Sequence, residues 1–446
     1  MYIRPIANNM ILKHGLLAIG LIFSLIGFSQ DTLSQAEALE IMLANNYGIK
    51  VAKNNQLIAE NNTSKELNGY LPQVNVSAGL NGALGGSQQN FSSGMEVDVK
   101  NALTWGSNAA VTANYTLIDK RRAVNLEQLK ELVILSDLET RQTIELNLIQ
   151  LFNAYYEVAG LSENLSAQIQ TMDLSRQRIL RAQYRYDYGQ GIRLDVLNAE
   201  VDFQRDSINF LNIEQRLANS KRNMNVIMGR PVETAFNVLT DIIYTDNLTL
   251  EGLLLAMQTK NIEVQITDKN VEIDNYDLRI IDAEAKPTLS SSASYSYSYQ
   301  NNAAESFIAT QTSKGLGIGI NLAWNIFDGG IRKARKQNTN IAIQSRQVFR
   351  QQLLEELERD VTNAWESYQN ALLILEVENS SLATNQLNFE RTEELYKSGQ
   401  LNSVEFRQAQ LNLLNAAISY NNAKFDAKVL ELQLLQLSGD ILNQEF

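Results

Sequence analysis

Residues 186–200 read Y-D-Y-G-Q-G-I-R-L-D-V-L-N-A-E, and residues 396–410 read Y-K-S-G-Q-L-N-S-V-E-F-R-Q-A-Q. Tyr186 aligns with Tyr396, Gly189 with Gly399, Gly191 with Leu401, Asp195 with Glu405, Asn198 with Gln408 and Ala199 with Ala409. The offset is about 210 residues throughout, without a gap, so the chain carries a tandem repeat. Both copies interrupt long, polar, helix-like patterns. Glycine ends a helix well because it takes the left-handed conformation without a Cβ penalty. An acidic residue six positions later suits the first turn of the next helix, where the dipole is positive. Each copy therefore reads as the turn of a long helical hairpin.

Working outward, the helices that meet at these turns are unusually long. Residues 122–188 and 332–398 contain no Pro, and some 66 residues of helix reach roughly 100 Å. Leu354, Leu357, Val361, Ala364, Tyr368, Leu372 and Leu375 step by threes and fours, as do Ile144, Leu148, Leu151, Tyr155 and Val158. That spacing is a coiled-coil seam. The return helices span residues 194–228 and 404–437 and stop at Gly229 and Gly439.

Upstream of each hairpin the halves also match. Residues 33–70 form two helices broken at Asn45-Asn46 and stopped before Pro72. Residues 248–286 repeat this, with Asn261 matching Asn46 and Pro287 matching Pro72. Pro disfavours helix at the residue before it, and two of the four Pro in the chain sit at this one boundary. After each Pro the period becomes two. Val74, Val76, Ala78 and Leu80 alternate with Asn75, Ser77 and Gly79, while Tyr295, Tyr297 and Tyr299 alternate with Ser294, Ser296 and Ser298. Second strands are expected over 108–118 and 315–327. Gly-, Ser-, Asn- and Gln-rich loops are expected between the strands, over 82–100 and 300–314. Alternating apolar and small polar residues fit a lipid-facing barrel strand, and they also fit an amphipathic sheet on a soluble core.

The first 29 residues read as a secretory signal peptide. Arg4, Lys13 and His14 precede an apolar run over 16–28, and Gly27-Phe28-Ser29 offers a cleavage site. An uncleaved anchor is the alternative, but the run is shorter than the roughly 20 residues a spanning helix needs. Cleavage would leave no His, and the chain has no Cys, so thiolate and imidazole chemistry, metal ligation by those groups and disulfides are excluded. A net charge of −12 argues against nucleic acid as a partner. No cofactor and no catalytic constellation is expected, and the chain reads as a non-enzyme. The division is a signal peptide over 1–29, a first repeat over 30–230, a linker over 231–247 and a second repeat over 248–446. Each repeat is helix–strand–strand–helical hairpin.

Four strands cannot close a barrel, and an open sheet edge cannot face lipid. Two copies would give eight strands with a filled interior; three would give twelve and a pore. The expected fold is mainly α with β: long antiparallel coiled-coil hairpins and four transmembrane strands per chain, assembling as a homotrimer with a twelve-stranded barrel.

In this order and twice over, the repeat, the Y-x-x-G turns, the Pro before each strand pair and the W-N-I-F-D-G-G run over 324–330 resemble the TolC-like outer-membrane efflux proteins. The resemblance covers nearly all of the chain from Leu33 to Gly439. It implies a barrel in outer-membrane lipid continued by a helical tunnel across the periplasm. The tunnel would dock on a periplasmic membrane-fusion (adaptor) protein joined to an inner-membrane pump of the RND or ABC type. Drugs, toxic compounds, ions or proteins would be exported. It implies a gate at Asp195 and Glu405, with Asn198 and Gln408 one helical turn on, and acidic rings favour cations. The same acids equally suit a helix first turn. Tyr186, Gly189, Gly191, Tyr396, Gly399 and Leu401 would shape the docking tip. A basic residue that locks the closed tip in the type protein is replaced here by Gly191 and Leu401; the cations nearby are Arg193 and Arg407. The competing reading is a periplasmic coiled-coil adaptor or structural protein of an export complex.

Overall fold

The structure, a computed structural model, describes residues 32–245, 247–302 and 308–443. The expected signal peptide and His14 lie outside these residues. The chain resolves into two compact units, one of Ile144–Leu253, Val361–Phe446 and the segment up to Tyr47, the other of Gly48–Thr143 and Leu254–Asp360. The elements in order are β1 (Thr32–Leu33), α1 (Gln35–Asn45), α2 (Tyr47–Asn62), β2 (Gln73–Asn90), β3 (Glu96–Ile118), α3 (Lys120–Asp187) and α4 (Arg193–Met228). The second half gives β4 (Asn237–Val238), α5 (Leu250–Lys260), α6 (Ile262–Ala283), β5 (Thr288–Asn301), β6 (Thr310–Ala323), α7 (Ile331–Lys397) and α8 (Ser403–Ser438), then a 3₁₀ turn at Ile441–Asn443.

In the unit that carries the sheet, β2, β3, β5 and β6 pair in that order, antiparallel throughout. Strand register decides what each face presents. Val76, Val111, Tyr295 and Leu316 lie opposite one another, and Val74, Ala113, Ala293 and Ile318 form the next row on that face. The intervening rows are Asn75, Thr112, Ser294 and Gly317, and Ser77, Ala110, Ser296 and Gly315. One face is thus apolar and aromatic, the other small and polar. The apolar face is bare: Val76 is 76%, Leu80 86%, Ile318 78% and Ile320 72% exposed in the single chain. β2 and β6 are the outer strands and pair on one side only among the described residues.

The strands correct the sequence expectation at their far ends. Of the stretch 82–100 expected as loop, only residues 91–95 turn, with Gly94 at φ +88° and Phe91 N–H donating to Met95 C=O at 2.8 Å. In the second pair β5 runs on to Asn301 and β6 begins at Thr310. Gly, Ser and Asn look like loop by composition, but within a sheet their backbone groups are satisfied by the ladder whatever the side chain. β6 stops at Ala323, so Trp324 to Phe327 follow the strand rather than belong to it.

In the same unit, α6 is stitched to two helices by charge. Towards α3, Lys269 pairs with Glu131 at 2.9 Å, Arg279 pairs with Glu127 and Gln128 donates to Asp277 at 2.7 Å. Towards α7, Asp282 meets Lys336 at 2.8 Å, Glu284 meets Arg335 at 2.6 Å, and Asp268 and Asp274 hold Arg350 and Arg346. Exposed pairs of this kind contribute at most about 1 kcal/mol each; here they set register.

In the other unit the seam residues turn inward as expected. Leu148, Leu151, Tyr155 and Val158 of α3 and Val361 and Tyr368 of α7 are buried. α1 opens on a capping box, with Ser34 and Glu37 bonding each other's backbone N–H. β1 and β4 form a two-residue parallel pair that no local pattern announces. The Tyr155 hydroxyl joins them, donating to Leu33 C=O at 2.9 Å and accepting from Leu239 N–H at 3.1 Å. Burial pushes that hydroxyl up to about 12.

Residues 231–245 are pinned rather than loose. The Glu431 carboxylate, fully buried, accepts from Lys428 Nζ at 2.7 Å, from Thr245 Oγ1 at 2.8 Å and from Tyr368 Oη at 3.2 Å. Lys428 Nζ also donates to Ile243 C=O at 2.7 Å, and the Tyr244 hydroxyl to Lys424 C=O at 2.7 Å. A buried carboxylate is tolerated because every side of it is bonded.

Gly229 ends α4 at φ +70°, and a Cβ there would sit 2.5 Å from the Asn45 carbonyl oxygen. Gly229→Ala is expected to cost more than the roughly 1 kcal/mol of an open left-handed site, because backbone must shift as well. Gly189, with nothing near its absent Cβ, supplies the comparison. Thermal melts of the two Ala variants should show the Gly229 variant clearly the less stable; equal melts would contradict the close approach.

The hairpin tips as candidate functional site

Both tips lie within the unit that lacks the sheet. α3 ends at Asp187 and α7 at Lys397, and the same turn follows each. Gly189 has φ +72° and Gly399 φ +79°. Gln190 N–H donates to Arg185 C=O at 2.7 Å and Gln400 N–H to Leu395 C=O at 2.9 Å, while Gly189 and Gly399 N–H donate to Tyr186 and Tyr396 C=O at 3.0 and 3.2 Å. These bonds satisfy carbonyls the helix end would leave bare. Only a residue without Cβ sits there unstrained, which accounts for the glycine in both repeats.

Beyond the turn the repeats diverge. Asn402 caps α8, accepting from Val404 N–H at 3.0 Å and Glu405 N–H at 2.9 Å, whereas Ile192 gives α4 no side-chain cap. Tyr396 is buried and stacks on Phe406, with ring centroids 4.5 Å apart, in a cluster with Phe389 and Ala409 against which Leu401 packs. Tyr186 is 42% exposed with the Arg193 guanidinium 5.8 Å from its ring. Gly191 lies where a Cβ would meet Arg185 Cβ at 3.2 Å.

Asp195 is half-buried and Glu405 exposed, each in the first turn of its helix. Asn198 and Gln408 are exposed, and Gln408 donates to Asn412 Oδ1 at 2.8 Å. Among the described residues no ion pair engages either carboxylate and none links the two. Near the turns, Arg181 joins the two hairpins: its guanidinium lies 4.8 Å over the Tyr396 ring and donates to Lys397 C=O.

A buried charge cluster, missed at the sequence level, lies deeper. Arg407 donates to both oxygens of Asp206, at 2.8 and 2.7 Å, and to Ser175 Oγ and Gln410 Oε1 at 3.2 Å each. Gln410 Nε2 donates to Thr171 C=O at 2.8 Å and Ser175 Oγ at 3.1 Å. Arg178 pairs with Asp202 alongside. Asp206 and Ser175 are wholly buried, Arg407 and Gln410 nearly so. Arg407, the second of the two tip cations, is therefore turned inward and bonds the second hairpin to the first, while Arg193 stays at the surface. Nothing in the local sequence separates Asp206 from the many solvated acids on these helices; only its helical-turn spacing from Asp202 hints at a shared face.

Among the described residues no helix is long and apolar enough to cross a membrane, and no group of three or more metal-ligating side chains gathers.

A helical chain of two hairpin repeats that carries a four-stranded antiparallel sheet has the fold of the outer-membrane efflux channels. The outer-membrane channel OprN superposes with TM-score 0.69 at 15% identity, covering 91% of this chain and 90% of that one. The Campylobacter jejuni CmeC outer membrane channel gives 0.70 at 15%, covering 91% and 86%. The Neisseria gonorrhoeae MtrE outer membrane channel gives 0.65 at 15%, covering 91% and 89%. No curated protein sequence matches the chain. Residues 257–440 match the family model described as outer membrane efflux protein. The chain thus has the fold of these outer-membrane channels, and residues 257–440 of it match the efflux-protein family model.

Proposed function

We propose that three copies of this chain close a twelve-stranded barrel in the outer membrane and form an exit channel. In this reading the channel docks on a periplasmic adaptor and an inner-membrane pump and conducts small molecules, ions or proteins outward. The observation that carries it is the sheet. It has a bare apolar face, a small polar face and, among the described residues, two unpaired edges, β2 and β6. Four antiparallel strands leave β2 and β6 running oppositely, so β6 of one copy can pair with β2 of the next without reversing the pattern. Lipid cannot satisfy free edge groups, which favours closure. The tandem division, with repeats over 30–230 and 248–446 joined by 231–247, belongs to the same proposal. Separation of cell membranes and gel migration with and without heating test it. An outer-membrane, heat-dissociable trimer is expected; a soluble monomer would revive the adaptor reading.

Within that channel we assign the gate to the tips. Asp195 and Glu405 would form carboxylate rings around the narrow end, with Asn198 and Gln408 one turn on. Tyr186, Gly189, Gly191, Tyr396, Gly399 and Leu401 would shape the surface the adaptor grips. Support comes from the exposure of Glu405, Asn198 and Gln408 and from the lack, among the described residues, of an ion-pair partner for either acid. The double variant Asp195→Ala, Glu405→Ala is expected to lose most of its preference for K⁺ over Cl⁻ in reversal-potential measurements, because acidic rings select cations. Unchanged selectivity would move the gate elsewhere.

A further inference from the structure

The end of the sheet from which the long helices depart is rich in cations. Lys120, Arg121 and Arg122 follow β3, and Arg332, Lys333, Arg335 and Lys336 follow β6 within a chain whose net charge is −12. The arrangement repeats. Asp119 accepts from Arg122 N–H at 3.2 Å, and Asp328 from Arg332 N–H at 2.9 Å and Gly330 N–H at 3.0 Å, so in each half one acid holds the corner and cations follow it.

Not all of these cations are free. Arg122 donates to Thr116 C=O at 3.1 Å and to Gly69 C=O at 2.5 Å; Arg332 pairs with Asp328; Arg335 and Lys336 pair with Glu284 and Asp282. Lys120, Lys286 and Lys333 are exposed with no ion pair among the described residues, and Arg121 reaches Asp119 only at 4.0 Å. The placement works against the helices. α3 and α7 open with cations and no acid in the first turn, whereas α1, α4, α5, α6 and α8 each have one there. Cations at a helix N-terminus are unfavourable by a few tenths of a kcal/mol each, so helix stability does not explain them.

Their surroundings do. The apolar face that ends in Leu322 continues into Trp324, 58% exposed, Ile326, 73%, Phe327, 82%, and Ile331, 62%. Trp324 Nε1 donates to Ala285 C=O at 3.0 Å, which sets the indole beside Lys286. Tryptophan next to lysine and arginine at the limit of an apolar face is the composition of a membrane–water boundary, and Lys and Arg there attract anionic lipid. We infer that Lys120, Arg121, Lys286 and Lys333 form a collar that binds the phosphate headgroups of anionic phospholipid in the leaflet on the helix side of the barrel. The inference rests on the barrel reading above. The two exposed cations per half stand beside strands of the same sheet, so a closed barrel would carry the collar around its whole rim.

The chain has three Trp, at 105, 324 and 365. Trp105→Phe and Trp365→Phe leave Trp324 as the only indole. Full-length protein is reconstituted into vesicles in which a fixed fraction of either phosphatidylglycerol or phosphatidylcholine carries brominated acyl chains. Phosphatidylglycerol is expected to quench Trp324 about threefold or more strongly, and the preference should vanish at ~1 M salt, where the Debye length is about 3 Å. In the Lys120→Gln, Arg121→Gln, Lys286→Gln, Lys333→Gln variant both lipids should quench equally. These four side chains are exposed, and an unchanged heat-dissociable trimer confirms that the fold is kept. Equal quenching by the two lipids in the parent protein, or a preference that survives the four substitutions, would overturn the collar and leave the barrel standing. No quenching by either lipid would remove the barrel reading and the collar together.

Discussion

Asp206→Ala should open the tips. The substitution strands the Arg407 guanidinium in a site where it is nearly buried and has Asp206 as its main partner, through two bonds of 2.8 and 2.7 Å. Removing one member of a buried ion pair typically costs about 3–5 kcal/mol, because the remaining charge has lost its water and gained nothing. Hydrogen exchange over residues 168–210 and 400–415 should therefore speed up by about two orders of magnitude or more, since about 1.4 kcal/mol corresponds to a factor of ten. The sheet unit should be unaffected. Replacing both partners by apolar residues of similar size, Asp206→Leu with Arg407→Met, should restore most of the protection, because the stranded charge is then gone. If the single variant exchanged like the parent protein, the cluster would be a passive contact.

The second large effect concerns the sheet. Ile318→Lys is expected to prevent assembly in the membrane, while Ser296→Lys is tolerated. Ile318 stands on the apolar face in a row with Val74, Ala113 and Ala293, whereas Ser296 stands on the small polar face beside Ala110 and Gly315. In a lipid-facing position a lysine costs about 2–4 kcal/mol at the bilayer midplane, and in a trimer that cost occurs three times. On the lumen face the same lysine stays wet. The yield of heat-dissociable trimer in outer membranes measures the difference. Equal yields would mean that the apolar face does not meet lipid.

The sequence made the hairpin turns legible because their cause is local. A glycine that must adopt φ near +75° and an acid in the next first turn are visible in one chain, and the repeat confirms each by the other. The matched Asn and Pro positions are legible for the same reason: Asn46 and Asn261 adopt nearly the same backbone angles, φ −55° and −59°. Strand ends were less legible. Residues 82–90 and 96–107 owe their conformation to partners across the sheet, and their Gly, Ser and Asn content points the other way. The parallel pair of Thr32–Leu33 with Asn237–Val238 joins segments about 200 residues apart and is too short for any periodicity. Arg407 and Asp206 were illegible because burial of a charged helix residue depends on which face another helix covers. Asp195 and Glu405 occupy the first turns of their helices, where the dipole favours an acid whatever further role it has.

A chain that assembles into a channel must carry current across a planar bilayer. Purified full-length protein should produce discrete, cation-favouring openings whose frequency follows the amount of trimer added. A correctly folded preparation that inserts no conducting unit, and stays soluble without detergent, would contradict the account.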